Sequence, residues 1–310
     1  MGIFSKSTLI FWHLKKHYNH WLKFKRLSKT KQSELLKKKF SKKLGRQLNL
    51  SNPVYFSDKI QWLKLFYQNP LLNQCVDKYA VRQFVKDQVG DEILNEAYAI
   101  YDQASQVDFE KLPSSFVLKA THGYGWNIIC ANKGQLNQKK ARKKLIIWEQ
   151  MNHFYQGLEW AYKDIKPRII CERFLQDPER DDLLDYKFFC FNGQPHFIQV
   201  DIDRSQSHTR NIYTIDWQLL DISLCYPTNH ETKIGKPNQL DKMVEIAKKL
   251  SKSFPFVRVD LFLIQGRVYF GELTFYPESG WGQFSDIQVE KEWGDLLQLP
   301  TQVNNNRILD

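Results

Sequence analysis

The chain has 310 residues and carries 45 Lys and Arg against 34 Asp and Glu, a net charge of +11. At 42% hydrophobic and 14% aromatic residues it is too rich in core-forming side chains to be disordered. Its length suits one large domain or a few smaller lobes, and no window approaches the roughly 18–20 apolar residues of a membrane span.

Five cysteines (Cys75, Cys130, Cys171, Cys190 and Cys225) are odd in number and form no CxxC pair. Neither a zinc site nor a disulfide framework is expected, and reduced thiols fit a cytoplasmic protein. The opening Met1-Gly2-Ile3-Phe4-Ser5-Lys6 lacks the marks of a secretory signal, and Lys6 stands where myristoylation wants Ser or Thr. The charge is segregated. Residues 1–50 hold fourteen Lys and Arg against the single acid Glu34, while the other 260 residues carry 31 basic and 33 acidic groups.

In chain order, Thr8–Leu27 reads as an amphipathic helix, with Leu14, Tyr18, Trp21 and Leu22 at helical spacing among lysines. A second basic helix is expected over Ser33–Leu48. This arm suits an anionic membrane face or an acidic glycan, or simply packs on the body with a solvated basic face. Nucleic acid is disfavoured, because no recognition signature accompanies the charge. Ile60, Trp62, Leu63, Leu65 and Phe66 predict a buried helix closed by Asn69-Pro70, and Asp77–Val89 predicts another. Strands follow at Phe116–Lys119 and Asn127–Cys130, then a long helix over Gln138–Trp160 and a strand at Arg168–Glu172. Asp185–Phe191 and Pro195–Asp201 form a hairpin around Asn192-Gly193. A helix over Asn238–Phe254 precedes a second hairpin, Val257–Ile264 and Arg267–Thr274, around Gln265-Gly266. Antiparallel hairpins with covering helices make this an α+β chain.

Four constellations carry chemistry. Alternation puts Arg258 and Asp260 on one face of a strand, and Glu272 and Thr274 on one face of its return. Asp260 and Glu272 then fall roughly opposite, as two hard oxygen donors that suit magnesium shared with phosphates. The alternative is a surface ladder with one Arg–carboxylate pair. Lys119 ends a strand that runs into His122-Gly123-Tyr124-Gly125-Trp126, a turn whose N–H groups suit phosphate, though neither a P-loop nor a Rossmann fingerprint. Glu172 ends an apolar strand before Asp185-Tyr186-Lys187, and Asp77-Lys78 opens a helix, where the acid reads first as a cap.

The order of these signals resembles the ATP-grasp superfamily, and more closely its TupA-like branch of teichuronopeptide biosynthesis. The resemblance rests on "IQWLKL" at 60–65, "DKYAVRQFV" at 77–85, "LPSSFVLKATHGYGWNIIC" at 112–130, "DYKFFCFNG" at 185–193 and "FVRVDLFLIQGRVYFGELTFYPESG" at 256–280. It covers roughly residues 52–300 and implies two α+β lobes with ATP between them. It implies that the basic arm (1–50) and a helical segment (51–110) precede an N-lobe (111–170) and a C-lobe (171–300), with a tail at 301–310. By resemblance, Lys78 and Lys119 contact the phosphates and His122, Gly123, Tyr124, Gly125 and Trp126 close over them. Glu172, Arg173, Phe174 and Leu175 form the adenine hinge, and Asp185 holds the ribose. Lys187 sits near the phosphates, Arg258 steadies the transferring group, and Asp260 and Glu272 hold Mg2+. Phe275–Gln283, with Tyr276, Glu278, Ser279 and Trp281, lines the acceptor side. Thr274 departs from the Asn of many relatives, and a hydroxyl is a poorer metal ligand. The implied reaction joins a carboxylate to an amine through an acyl phosphate, on a cell-surface polysaccharide or its precursor. A sugar or lipid kinase, a glycosyltransferase and a non-catalytic binding module are the competing readings.

Overall fold

The computed structural model describes residues 27–180, 183–203, 207–232 and 234–301, together with Leu22. The helix expected over Thr8–Leu27 lies almost wholly outside them. The second basic helix is present as α1 (Lys29–Leu44), earlier at both ends than Ser33–Leu48. Its ends follow local chemistry: Ser28 Oγ accepts from the Lys31 N–H at 3.4 Å, and Gly45 closes it at φ 70°. Leu36 and Phe40 are buried, while the lysines between them face outward.

Helix α2 (Phe56–Phe66) follows as expected. Asn69-Pro70, expected as a stop, starts the next helix instead. Asn69 Oδ1 accepts from the Leu71 N–H and caps α3 (Pro70–Val76). The helix expected from Asp77 begins later, as α4 (Val81–Val89). Asp77 Oδ1 takes the N–H groups of Tyr79 and Ala80 at 2.8 and 3.2 Å and holds a turn ahead of it.

Strands β1 (Ala97–Tyr101), β2 (Phe116–Ala120), β3 (Asn127–Cys130) and β4 (Ile169–Glu172) form an antiparallel sheet in the order β1-β4-β2-β3. β1 arises within the segment read as helical. Helix α5 (Gln138–Glu149) covers this sheet, with Leu145 and Trp148 in one core with Leu118 and Ile128. The expected helix to Trp160 is broken. A short α6 (Phe154–Gly157) intervenes, and Leu158 takes φ 56°, which ends the helical path and drops its side chain among Leu36, Leu50 and Leu65.

The second sheet has six antiparallel strands in the order β10-β9-β5-β6-β7-β8. They are β5 (Asp185–Phe191), β6 (Gln194–Ile202), β7 (Thr209–Thr214), β8 (Leu219–Leu220), β9 (Phe256–Ile264) and β10 (Arg267–Thr274). Helix α7 (Leu240–Ser251) covers the face carrying Phe188, Val259 and Leu261. Helix α8 (Ile287–Leu296) brings Trp293 against Phe189 and Phe197 at the lower end of the other face. The upper end of that face carries the charged residues. No described helix is long and apolar enough to cross a membrane.

Candidate functional site

Three neighbouring strands set one charged row. Lys187 on β5 and Glu272 on β10 both pair in register with Asp260 on the intervening β9. This alignment depends on a bulge. From Arg267 to Phe270 the β10–β9 register would set Glu272 opposite Val259, on the buried face; between Phe270 and Glu272 it shifts by one and brings Glu272 opposite Asp260. The extra residue is Gly271, where a Cβ would stand 2.9 Å from the Asp260 carbonyl oxygen. Only glycine allows that approach without a shift.

Within the row, Arg258 Nε and Nη2 donate to the two oxygens of Asp260 at 2.7 Å each. Lys187 Nζ reaches Asp260 Oδ2 at 3.4 Å and pairs closely with Asp185. Arg258 also donates to Thr274 Oγ1 at 3.3 Å, and Thr274 donates to Glu272 Oε1 at 3.2 Å. Thr274 thus orients the acid across a strand face. Arg258, Asp260, Asp185 and Lys187 are buried, whereas the Glu272 side chain is 31% exposed. Burial, with Asp185 nearby, raises the Asp260 carboxyl above its ordinary value against the pull of Arg258 and Lys187. Burial opposes the Arg258 charge, but the carboxylates of Asp260 and Glu272 outweigh it and raise its pKa.

The four-stranded sheet supplies the facing wall. Glu172, at the end of β4, receives Lys119 at 2.7 Å and Arg82 at 3.3 Å. Lys78 Nζ donates to the Gly123 carbonyl, and its own N–H donates to Thr121 O at 3.1 Å. Burial lowers the Lys78 pKa, Lys119 adds to this, and Glu272 and Glu172 oppose it, so charges of both sheets meet there.

The glycine turn is anchored from below. His122 Nε2 lies 2.8 Å from Trp148 O, and Trp126 packs edge-on against His122. A Cβ on Gly123 would lie 2.3 Å from Trp126, so glycine is needed for the ring to seat. His122 and Trp126 are buried; Tyr124 and Gly125 form the exposed tip. Desolvation between the sheets, then the charge of Glu272, pushes the Tyr124 phenol up to about 12, with Glu278 and Asp260 contributing. The tip therefore lies within electrostatic reach of the acid row.

The residues expected as an adenine hinge follow β4 as an irregular segment. Both backbone groups of Arg173 are engaged: its N–H donates to Glu96 O at 2.9 Å and its carbonyl accepts from Asn95 Nδ2 at 2.8 Å. Its guanidinium reaches Tyr269 Oη at 3.0 Å, so this segment is stitched to β10. Phe174 and Leu175 are half-buried beyond it.

Several neighbours were not singled out from sequence. Arg82 on Glu172, and Arg168 on Asp77 at 3.0 Å, are charged residues at helix and strand ends, a pattern compatible with any surface pair. Asp201 and Arg210 pair across β6–β7 at 2.7 Å, and Arg210 also reaches Glu278 at 3.0 Å. A lone Arg in the otherwise uncharged strand Thr209–Thr214 was the available signal.

Two antiparallel sheets, each with covering helices, match the architecture expected of the ATP-grasp class. A family model described as TupA-like ATPgrasp matches residues 58–298, and the chain belongs to that family. Solved structures similar to it include D-alanine–D-alanine ligase from Bacillus anthracis complexed with ATP (12% identity, TM-score 0.43, covering 73% of this chain and 65% of that one). The corresponding ligase from Helicobacter pylori has 16% identity and TM-score 0.41, covering 80% of this chain and 68% of that one. The ATP-grasp ligase PsnB, complexed with a phosphomimetic variant of its minimal precursor, Mg and ADP, has 10% identity and TM-score 0.39, covering 67% and 53%. The chain thus spans between about half and two thirds of the length of these ligases. No curated protein matches the chain.

Proposed function

We propose that the protein is an ATP-dependent, amide-forming carboxylate–amine ligase that modifies a cell-surface polysaccharide or its precursor. The observation that carries this is the bulged register that sets Glu272 beside Asp260, within electrostatic reach of the glycine turn. Two carboxylates on one face fit Mg2+ held jointly with phosphates, and among the described residues no group of three ligating side chains forms a protein-only cage. The ion, when bound, supplies charge neutralisation for phosphoryl transfer.

The chain's own residues do the rest. Lys78 and Lys119 bind the phosphates, and His122 to Trp126 cover them, with Tyr124 excluding water so that an acyl phosphate survives. Asp185 holds the ribose beside Lys187. Because the backbone of Arg173 is already engaged, Phe174 and Leu175 offer the hinge's backbone contacts to adenine, with Glu172 fixing Lys119. Arg258 stabilises the transferring group from behind Asp260. The paired acids sit in an antiparallel hairpin, not in a loop after a parallel strand, which weighs against a glycosyltransferase. The basic face of α1 suits an acidic glycan, or the inner face of the cytoplasmic membrane where such glycans are built.

The test is magnesium-dependent ATP turnover in Asp260→Asn and Glu272→Gln. Turnover is expected to fall at least about hundredfold, as for loss of a transition-state electrostatic contact, with the fold intact by circular dichroism. Unchanged turnover sinks the assignment. ADP release that requires a hydroxyl acceptor and no carboxylate would make the protein a kinase.

A further inference from the structure

Directly after β10 the chain makes three successive left-handed residues: Glu278 (φ 50°, ψ 23°), Ser279 (φ 55°, ψ 25°) and Gly280 (φ 66°). For the two non-glycine residues this is strained backbone, and such strain persists only where the surroundings over-determine it. Here they do. Gln61 Nε2 donates to the carbonyls of Ser279 and Gly280 at 3.1 and 2.9 Å. Lys64 Nζ donates to Ser279 O at 2.7 Å and lies 3.1 Å from its Oγ. Ser279 Oγ donates to Glu159 Oε1 at 2.6 Å. Gln61, Lys64 and Glu159 are all buried. At Gly157 a Cβ would lie 2.4 Å from Ser279 Oγ, and at Gly280 one would lie 2.6 Å from Gln61 Nε2. Helix α2 and the segment after α6 thus build a mould for one turn.

What the mould presents is Glu278. Its Oε1 accepts from Arg210 at 3.0 Å, and its side chain keeps 35% of its surface exposed. It belongs with Glu272 and Asp260 to the acids that bear on Tyr124 at the tip of the glycine turn. Gln199 pairs in register with Lys187 and Asp201 with Arg210, so alternation puts Arg210 on the face that carries Asp185, Lys187 and Asp260, and Arg210 holds the Glu278 carboxylate over that same face.

We infer that Glu278 is the residue that receives the acceptor amine, with Gln61, Lys64, Glu159 and Ser279 as positioning residues. This rests on the ligase reading proposed above. An amine reaches the site as ammonium at neutral pH and must lose a proton to attack. The Glu278 carboxylate binds the ammonium and takes one proton. The amine nitrogen then forms a bond to the acyl carbon, the carbon–oxygen bond to phosphate breaks, and phosphate leaves with the electron pair. The second proton released from nitrogen passes to the departing phosphate or to water. The acceptor is therefore a primary or secondary amine, and the Arg210 contact holds the carboxylate in place to receive it.

The experiment uses the full chain with ATP, Mg2+ and polygalacturonate as the carboxylate probe. The acceptor is either an equimolar mixture of the twenty amino acids or hydroxylamine, which is already uncharged at neutral pH. Glu278→Gln is expected to lower amino-acid-dependent ADP release roughly hundredfold, the scale of general base catalysis, while hydroxamate formation stays near wild type. Ser279→Ala, which loosens the turn, is expected to raise KM for the amine mixture more than it lowers kcat. Equal retention of both activities in Glu278→Gln, or equal loss of both, overturns the inference. Absence of both products in the wild type would instead count against the ligase reading with this carboxylate. In that case the amine role is read from ammonium protection of Glu278 against carbodiimide labelling, and unprotected labelling overturns it.

Discussion

At the scale of single residues, Gly271 decides whether the acid row exists. Its missing side chain allows the bulge that moves Glu272 from the Val259 position to the Asp260 position. In Gly271→Ala the new methyl must displace the Asp260 carbonyl, at a cost of about 1–3 kcal/mol for overpacking. The expected outcome is magnesium-dependent ATP turnover reduced more than stability alone explains, checked by comparing turnover with the urea midpoint. His122 offers a second prediction. Burial pushes its imidazole down to about 4 from 6.5, so the unfolded chain takes up a proton that the native one refuses. Stability is therefore complete above about pH 6.5 and is lost as pH falls towards 4, by up to ~3 kcal/mol. Urea unfolding at pH 7 and 5 checks this; His122→Gln, which does not titrate, is expected to lose less on acidification than the wild type. Asp260, Glu272, Lys119 and Glu172 were legible because each is a charged residue set in or at the end of an apolar strand, and the turn because it holds two glycines directly after one. Lys64, Glu159 and Arg210 were not, because their partners lie far along the chain and only the topology unites them.

At the scale of elements, helices α2 and α8 dock more closely than ordinary side chains permit. A Cβ on Gly294 already lies within contact of the chain entering α2, 2.1 Å from Val54 O. Lys59 Nζ binds the carbonyls of Gly294 and Leu297 at 2.8 Å each and so closes the end of α8. Arg46 bridges Asp58 and Glu290 at 2.7 and 2.9 Å across the same junction. Adding a methyl in Gly294→Ala cannot be absorbed by side-chain rotation, since the obstacle is backbone. A loss of roughly 2–4 kcal/mol is expected, read as a lower thermal midpoint. Because α2 also carries Gln61 and Lys64, the variant is expected to weaken the mould around Ser279 as well. Element boundaries show where sequence reading stops. The 138–160 stretch has helical composition, but Leu158 is drawn into a core formed by α1 and α2 and leaves the helix. β1 (Ala–Tyr–Ala–Ile–Tyr) has no clean alternation, and only its pairing with β4 makes it a strand.

At the scale of the whole molecule, two cores hold two sheets that share a line of charge between them. A nucleotide bound across that line contacts both, so its binding energy stabilises both lobes together. At about a hundredfold excess over Kd the gain is roughly 2.7 kcal/mol. A single, upward-shifted melting transition with ATP and Mg2+ is expected. Glu272→Gln should lose the part of the shift that depends on Mg2+ and keep the rest, while Lys119→Ala, which also leaves Glu172 short of its closest cation, should lose most of both. Two separate transitions, with only one moved by nucleotide, would show that the ligand engages one lobe alone. The basic face of α1 follows a different law. Lys37, Lys38 and Lys42 are exposed, and the pairing of Lys39 with the Trp281 ring at 4.9 Å brings that face next to the Glu278 turn. Exposed charges at this spacing act through screened attraction, which fades beyond about 10 Å at 0.1 M salt. Lys37→Gln with Lys38→Gln and Lys42→Gln should therefore weaken binding to polygalacturonate severalfold at low salt and hardly at all at high salt. ATP affinity, set inside the cleft, should stay where it was. If vesicles of phosphatidylglycerol and phosphatidylcholine are bound with this salt dependence and polygalacturonate is not, the face is a membrane contact.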